Sequence, residues 1–444
     1  MDERMNSYGG ERRLPINPPI NPPINPPINP QTYSQPRQQF YPQNQMQGYP
    51  QNAVQGYPQN AVQGYPQPPS YPQNPAQNNA QEIDRRTAQP SAKETANGNT
   101  PRLAQGGFKP LSKEERAEAA KVTLTTNMTN SLDDIRRYCD GRAVNEFLRK
   151  NALDGIEFMP MGGDFNLYTI PKDAIVGVHL PIQADWYDFW RGNEAALLRE
   201  FGDLKTVEEF YGGTSPAVLT DRLRQNLDFA QRIGAKYVVF HVSNVTLRET
   251  VSYRFEHTDA QVCAAAAEII NSVLDGEDYD FDFLMENLWW PGLTFTRPEI
   301  TRDLLHAVRY PKKGFMLDTG HLMHTNLDLQ SQEEGIDYIL CCLEVHGSLC
   351  DSIRGVHLHQ SVTGDAVRKM LRDEVCLSGK YWDDFGMAYR YILQIDRHLP
   401  FDTPKVRKLI ERIRPVYLTH EFITQSSEEH NRYLLKQSGN LRNR

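Results

Sequence analysis

Eight short apolar segments constrain the fold of this chain more than any other feature of its sequence. They are Val122–Met128, Gly155–Met161, Ile175–Leu180, Tyr237–Val242, Phe281–Asn287, Gly314–Asp318, Ile353–Leu358 and Pro415–Phe422. Between them, apolar residues recur at helical spacing over Leu219–Ile233 and Ala260–Leu274. Strands that alternate with helices indicate a parallel sheet, and eight such units over about 300 residues predict a closed (β/α)8 TIM barrel. An open doubly wound sheet is the alternative, but no GxGxxG follows the first strand.

The first 107 residues have a different composition. Pro15–Pro30 repeats a four-residue Pro-Ile-Asn-Pro unit, and Tyr49–Gln67 repeats an eight-residue unit that begins with Tyr-Pro-Gln-Asn. A segment rich in Pro, Gln, Asn and Tyr buries too little apolar surface to offset its ordering entropy, so we expect residues 1–107 to be a disordered tail. Its repeats also make a proline-recognising partner domain an alternative role. We place the barrel at 108–430, opening with a short helix at Ser112–Ala120, and a polar C-terminal tail at 431–444.

Composition limits the classes of function. The 444 residues carry a net charge of −8, and an isoelectric point near 5.9 gives no electrostatic reason to bind nucleic acid or an anionic membrane. No apolar segment of a signal peptide follows Met1, and no apolar run reaches the ~20 residues that span a bilayer. The six cysteines form no CxxC pair. We therefore expect a cytoplasmic protein that acts on a small molecule.

Six consecutive predicted strands end in histidine, aspartate or glutamate. In strand order these residues are His179, His241, Glu286, Asp318 with His321 just beyond it, His357 with His359, and Glu421. One histidine at a strand end is usually structural, but the carboxyl ends of all barrel strands converge. Carboxylates and imidazoles that converge in a buried place are costly unless they are paired, protonated or bound to a cation. This mixed nitrogen and oxygen set predicts a divalent metal site for Zn²⁺, Mn²⁺, Co²⁺ or Fe²⁺.

The segments GVHLP, FHVS, MENLWWPG, LDTGH and GVHLHQS resemble the xylose isomerase-like TIM barrel superfamily, which includes sugar phosphate isomerases and epimerases and the endonuclease IV group (AP endonuclease family 2). The resemblance covers Val122–Phe422. In epimerase-like members it implies one metal ion, with His321 contacting the substrate. The implied ligands of that ion are Glu286, Asp318, His357 and Glu421. In endonuclease IV-like members, the resemblance makes His179, His241 and His321 additional zinc ligands.

The sequence departs from the endonuclease IV-like pattern after the seventh strand. Those enzymes complete a three-zinc cluster with an Asp-x-His pair soon after that strand. Here His357 is followed by LHQSVTGDAVRKML, which contains no such pair. His359 and Asp365 are the available substitutes, but neither has the spacing of the family. The sequence therefore favours the one-metal isomerase over the three-zinc hydrolase.

The predicted function is a metal-dependent isomerase or epimerase of a sugar or sugar phosphate. Glu286 and Glu421 would exchange protons on opposite sides of a substrate carbon while the metal stabilises an enediolate. A zinc-dependent endonuclease IV-like hydrolase of a phosphoester is the first alternative, and a non-catalytic barrel used as a binding module is the second. The predicted substrate-binding residues are Trp289, Trp290, Asn244 and His359. The long segment Gln183–Lys236, which includes Trp186–Trp190, would add a lid.

Overall fold

The computed structural model describes residues 122–138, 140–161, 170–181 and 184–442. In these ranges eight parallel strands pair in sequence order, and the first also pairs with the eighth. The strands are β1 (Thr123–Thr129), β2 (Gly155–Met159), β3 (Ile175–His179), β4 (Tyr237–His241), β5 (Asp282–Glu286), β6 (Lys313–Asp318), β7 (Ile353–Leu358) and β8 (Tyr417–His420). The predicted (β/α)8 barrel is confirmed. The N-terminal tail and the helix predicted at Ser112–Ala120 lie outside the described residues.

Helices connect the strands and surround the barrel. The α-helices are α1 (Leu132–Tyr138), α2 (Gly141–Asn151), α3 (Tyr187–Arg191), α4 (Glu194–Phe201), α5 (Leu204–Tyr211), α6 (Ala217–Ile233), α7 (Leu247–Ser252), α8 (Asp259–Leu274), α9 (Pro298–Ala307), α10 (Thr319–His324), α11 (Gln332–His346), α12 (Gly364–Arg372), α13 (Tyr381–Ile395), α14 (Arg407–Ile413) and α15 (Ser427–Leu441). Short 3₁₀ helices lie at Lys172–Ala174, Gly347–Ser352 and Pro404–Val406. The two helices predicted from periodicity correspond to α6 and α8. In the described part of the chain, no helix is both long and apolar enough to cross a membrane.

Side chains of each strand alternate between the barrel interior and the surrounding helices. Phe283 and Phe315 belong to the large core between strands and helices, whereas Leu284, Met316 and Tyr237 belong to a separate cluster inside the barrel. Interior space is shared between large and small residues. A Cβ atom on Gly177 would lie 2.2 Å from the ring of Tyr237, so only glycine leaves room for that tyrosine.

Two insertions lie after β3 and β7 and pack against each other. We call residues 184–211 and 364–395 the cap. Phe201 of α4 and Phe210 of α5 lie 4.5 and 5.6 Å, ring centre to ring centre, from Tyr381 of α13. A second apolar cluster joins Trp289 and Trp290, after β5, to Val367, Met370 and Ile395 of α12 and α13. The cap is therefore held by an aromatic cluster and by the loop that follows β5.

The C-terminal boundary drawn at residue 430 falls inside α15. His430, Leu434 and Gln437 of this helix are buried, because they pack on the outside of the barrel. The Gln437 side chain donates a hydrogen bond to the Leu358 carbonyl (2.8 Å) and accepts one from the Phe401 amide (2.8 Å). The helix therefore belongs to the barrel domain up to Leu441, and 431–441 is not a free tail.

Candidate metal centre

The strand register brings the predicted ligands together at the carboxyl end of the barrel. Glu286 lies two residues after the interior residue Leu284, and Asp318 lies two residues after Met316, so both carboxylates point inward. Adjacent strands align His241 with Glu286 and Asp318 with His357. The structure places His179, His241, Glu286, Asp318, His321, His357 and Glu421 at this end of the barrel, in overlapping groups of candidate ligands.

Glu286 stands at the centre of the site and is fully buried. Its Oε2 atom lies 3.1 Å from His179 Nε2 and 2.8 Å from His241 Nε2, while its Oε1 atom lies 2.9 Å from His357 Nδ1. Burial alone would raise the pKa of this carboxyl group, but the neighbouring His241 and His357 hold it well below its usual value. His179, His241 and Glu286 therefore form a first group of candidate ligands, and the other oxygen of Glu286 faces His357.

A second group is formed by Glu286, Asp318, His357 and Glu421, whose candidate ligand atoms all lie within 4.8 Å of one another. His357 Nδ1 lies 3.3 Å from Glu421 Oε2 and 3.7 Å from Asp318 Oδ2. Glu421 Oε2 is buried and accepts no hydrogen bond from the residues that the structure describes. Burial, aided by Asp318 and Glu286 and opposed by His357, raises the pKa of Glu421 to about 7. A buried carboxylate oxygen beside two other carboxylates suits a cation.

A third group corrects the conclusion drawn from the sequence about the Asp-x-His pair. Asp396-Arg397-His398 is such a pair, and it lies in the site. Asp396 Oδ2 lies 2.7 Å from His398 Nε2 and 3.3 Å from His321 Nε2. Although burial favours the neutral form of His398, Asp396 and Glu421 raise the pKa of its imidazole to about 9. The proposed substitute Asp365 is instead exposed at the start of α12, where it pairs with Arg368.

The pair was missed because α12 and α13 separate it from the seventh strand. Asp396 follows His357 by 39 residues, and the two helices of this insertion return the chain to the same end of the barrel. A search for Asp-x-His over the whole segment before β8 would have found it. Glu157 in β2 was missed as well. Its only signal in the sequence is a carboxylate in the middle of an apolar strand, Gly155–Met159.

The donor set fits more than one divalent ion. The candidate ligand groups are His179, His241 and Glu286; Glu286, Asp318, His357 and Glu421; Glu157, His179, His357 and Glu421; and His321, His359, Asp396 and His398. Nearly all of these residues are buried, and they combine imidazole nitrogens with carboxylate oxygens, which suits Zn²⁺ and similar transition metals. A tetrahedral ion uses about four ligands, so a single ion would leave several of these residues without a role.

The predicted substrate-binding residues have specific neighbours. His359 is fully buried, its Nε2 lies 2.8 Å from Asp318 Oδ2, and its ring stacks on His398 at 3.9 Å. The Asn244 side-chain oxygen accepts hydrogen bonds from the backbone amides of Trp186 (2.9 Å) and Tyr187 (2.8 Å). His359 therefore supports a candidate ligand, and Asn244 anchors the start of the cap.

The two tryptophans after β5 lie directly above the site. The Trp289 ring centre is 5.3 Å from that of His321 and 4.7 Å from that of His324, and Trp290 packs on Trp289 at 4.3 Å. The indole nitrogens of both tryptophans are buried. His324 also reaches Asp396, at 3.4 Å. These tryptophans thus join the ligand groups to the cap.

A protein-family model described as the xylose isomerase-like TIM barrel matches residues 150–435. No curated protein sequence matches the chain. Among solved structures, endonuclease IV from Thermus thermophilus is 14% identical, with 72% of this chain and 98% of that chain covered and a TM-score of 0.40. The IolI protein with a bound zinc atom is 14% identical, with coverages of 72% and 98% and a TM-score of 0.39. D-psicose 3-epimerase from Clostridium cellulolyticum with D-tagatose is 12% identical, with coverages of 72% and 100% and a TM-score of 0.39.

The family model alone spans more than half of the chain. Its match covers β2 to β8 and all the candidate ligands. The protein belongs to the xylose isomerase-like TIM barrel family.

Proposed function

We propose that this protein is a hydrolase that uses more than one divalent metal ion to cleave a phosphoester. The observation that carries the proposal is the third ligand group, in which Asp396 and His398 join His321. An isomerase that holds one ion needs only the second ligand group, which consists of Glu286, Asp318, His357 and Glu421. Sites with two or more metal ions are typical of enzymes that hydrolyse phosphoesters, where the ions contact both the attacking and the leaving oxygen.

The histidines are oriented by bonds on their far nitrogens. His179 Nδ1 donates to the Leu180 carbonyl and His321 Nδ1 donates to the Asn287 carbonyl, both at 2.9 Å. Because a carbonyl oxygen only accepts, each Nδ1 keeps its proton, and Nε2, which faces Glu286 or Asp396, is the nitrogen that would bind an ion. Divalent ions, when bound, supply Lewis-acid polarisation of the phosphoryl oxygens and activation of a water molecule. The chain itself holds the ligands in place and limits the access of other water.

Charge on the cap favours a small phosphoester over nucleic acid. Residues 184–211 contain seven Asp and Glu but three Lys and Arg, and residues 364–395 contain five of each kind. Nucleic-acid binding draws most of its affinity from Lys and Arg that neutralise backbone phosphates. An acidic cap over a deeply buried site would repel a polyanion along its length, whereas a small ester needs to present only one phosphoryl group.

A metal-dependent isomerase or epimerase of a sugar or sugar phosphate is the second candidate. It is supported by the group of Glu286, Asp318, His357 and Glu421, which is complete for one ion without the other residues. Glu286 and Glu421 would then be the proton-transferring pair, His321 would contact the substrate, and Trp289 and Trp290 would cover its apolar face. The two candidates differ in whether they require His398.

The test is an activity screen on the full chain loaded in turn with Zn²⁺, Mn²⁺, Co²⁺ and Fe²⁺. The substrates are bis(p-nitrophenyl) phosphate, a set of small phosphomonoesters, and a set of ketoses and their phosphates. We expect metal-dependent ester hydrolysis that is lost in Glu286→Gln and His398→Ala. His257→Ala is the matched control, because His257 pairs with Asp188 in the cap at 3.1 Å and should be dispensable. Epimerisation of a ketose that survives His398→Ala, without hydrolysis, would establish the second candidate instead.

A further inference from the structure

We propose that Glu157 is a positioning residue that determines which nitrogen of His357 faces the metal ligands. Glu157 lies in the middle of β2 and is 1% exposed. Its two carboxylate oxygens lie 2.9 and 3.0 Å from His357 Nε2. On the other side of the ring, His357 Nδ1 lies 2.9 Å from Glu286 Oε1. His357 therefore bridges Glu157, deep in the barrel, and the ligand group at its mouth.

The chemistry of imidazole makes this bridge directional. A ring nitrogen that carries a proton cannot donate a lone pair to a metal, so the ligating nitrogen is determined by where the proton is held. A carboxylate only accepts hydrogen bonds, so without an ion both ring nitrogens of His357 face acceptors, Glu157 at Nε2 and Glu286 at Nδ1. An ion held by Glu286 would take the place of the Nδ1 proton, whereas Glu157 would keep the proton on Nε2. Nδ1 lies on the side of the other candidate ligands, since Glu286, Glu421 and Asp318 are 2.9, 3.3 and 3.7 Å away from it.

Glu157 is itself held by neutral donors from two other strands. The hydroxyl groups of Tyr237, in β4, and Thr419, in β8, donate to its Oε2 at 2.8 and 2.9 Å. Thr125, in β1, contacts the hydroxyl groups of both residues, at 3.3 and 2.8 Å. These contacts fix the carboxylate plane inside the barrel without neutralising its charge, so the charge acts on His357.

The second contact of His357 differs in kind from those of His179 and His321. His179 and His321 donate to backbone carbonyls. A carboxylate partner increases the basicity of a ligating imidazole as well as fixing its orientation, and losing such a partner typically weakens metal binding by about 10–100-fold. We therefore expect His357 to be the strongest nitrogen ligand of the set.

Glu157 also lies close enough to His179, His357 and Glu421 to be considered a direct ligand. Its Oε2 already accepts from Tyr237, Thr419 and His357, so the lone pairs of this oxygen are engaged. Its Oε1 faces His357 Nε2 at 2.9 Å and is the one oxygen of this carboxylate that could reach an ion. The two roles predict different outcomes when the carboxylate is removed, because a direct ligand contributes to the number of bound ions whereas a positioning residue contributes to their affinity.

The experiment titrates metal-free full-length protein with Zn²⁺ in competition with a chromophoric chelator. This inference rests on the metal centre of the proposed function, although either candidate activity would use His357. Glu157→Gln should weaken the binding of one ion by about 10–100-fold and leave the number bound at saturation unchanged. Asp282→Asn is the matched control, since Asp282 is a β5 carboxylate at the opposite end of the barrel that pairs with Arg354 (2.8 Å). It should bind Zn²⁺ like the wild-type protein.

Unchanged affinity in Glu157→Gln, or equal weakening in Asp282→Asn, would overturn the positioning role, as would the loss of an ion at saturation. If Glu157→Gln does not fold, ¹⁵N NMR of the zinc-loaded wild-type protein shows directly which ring nitrogen of His357 carries the proton. We expect His357 to be protonated at Nε2 and bound through Nδ1, and the opposite assignment would refute the inference. A wild-type protein that binds no Zn²⁺ would refute the proposed function itself, together with this role.

Discussion

His430 of α15 is a buried imidazole that should make a contribution of its own to the pH dependence of the free energy of unfolding. Thr126 Oγ1 donates to the His420 carbonyl (2.8 Å), so it accepts from His430 Nε2 (2.7 Å). Tyr138 then donates its hydroxyl proton to His430 Nδ1 (2.7 Å). Burial, with smaller contributions from Arg137 and His420, lowers the pKa of His430 to about 3. The folded protein therefore keeps this histidine neutral.

The sign and size of the effect follow from proton linkage. The pKa of an exposed histidine is 6.5, so below that pH the unfolded chain binds a proton that the folded chain does not. The contribution of His430 is fully present above pH 6.5 and declines as the pH falls towards 3. At about 1.4 kcal/mol per pKa unit, the loss is about 2 kcal/mol between pH 7.5 and 5, and about 5 kcal/mol over the whole window.

The assay is urea unfolding followed by circular dichroism at several pH values, with chelator present so that metal binding does not contribute. His430→Gln should be less stable than the wild-type protein at pH 8, but it should lose about 2 kcal/mol less between pH 7.5 and 5. His306→Gln is the control, because His306 is exposed on α9. Parallel pH profiles for wild type and His430→Gln would refute the assignment of a neutral buried imidazole.

Two further substitutions test the packing around the site. In Gly320→Ala the new Cβ would lie 2.0 Å from His359 Cε1, so the imidazole must move away from Asp318. We expect this variant to bind Zn²⁺ more weakly in competition with a chelator. Zn²⁺ affinity equal to that of the wild-type protein would contradict the importance of this contact. Phe201→Ala removes a buried ring from the aromatic cluster of the cap, where it lies 4.5 Å from the ring of Tyr381. We expect the free energy of unfolding in urea to fall by about 3–5 kcal/mol. A fall of less than about 1 kcal/mol would show that the cluster does not stabilise the cap.

The strands and most of the candidate ligands could be predicted because both depend on short-range patterns. The period of two along a strand places Asp318 on the same side as the interior residue Met316, and the parallel register then brings it beside His357. Each step needs only a few neighbouring residues. The barrel follows from repeating this pattern eight times, since closure removes the exposed strand edges.

The rest of the site depends on contacts between residues far apart in the chain. Asp396 and His398 reach the site only because α12 and α13 fold back over the barrel, and no local pattern encodes that return. Glu157 and His357 are 200 residues apart and meet across the barrel interior. The sequence shows a carboxylate in a strand, but it does not show which imidazole that carboxylate contacts.

The number of metal ions per chain tests the central claim most directly. Full-length protein purified without added metal or chelator should be measured by plasma mass spectrometry, beside a double variant with Asp396→Asn and His398→Ala. We expect two or three ions per chain in the wild-type protein and one fewer in the variant, because the third ligand group would be lost. One ion per chain that is retained in the variant would contradict the claim and favour the isomerase.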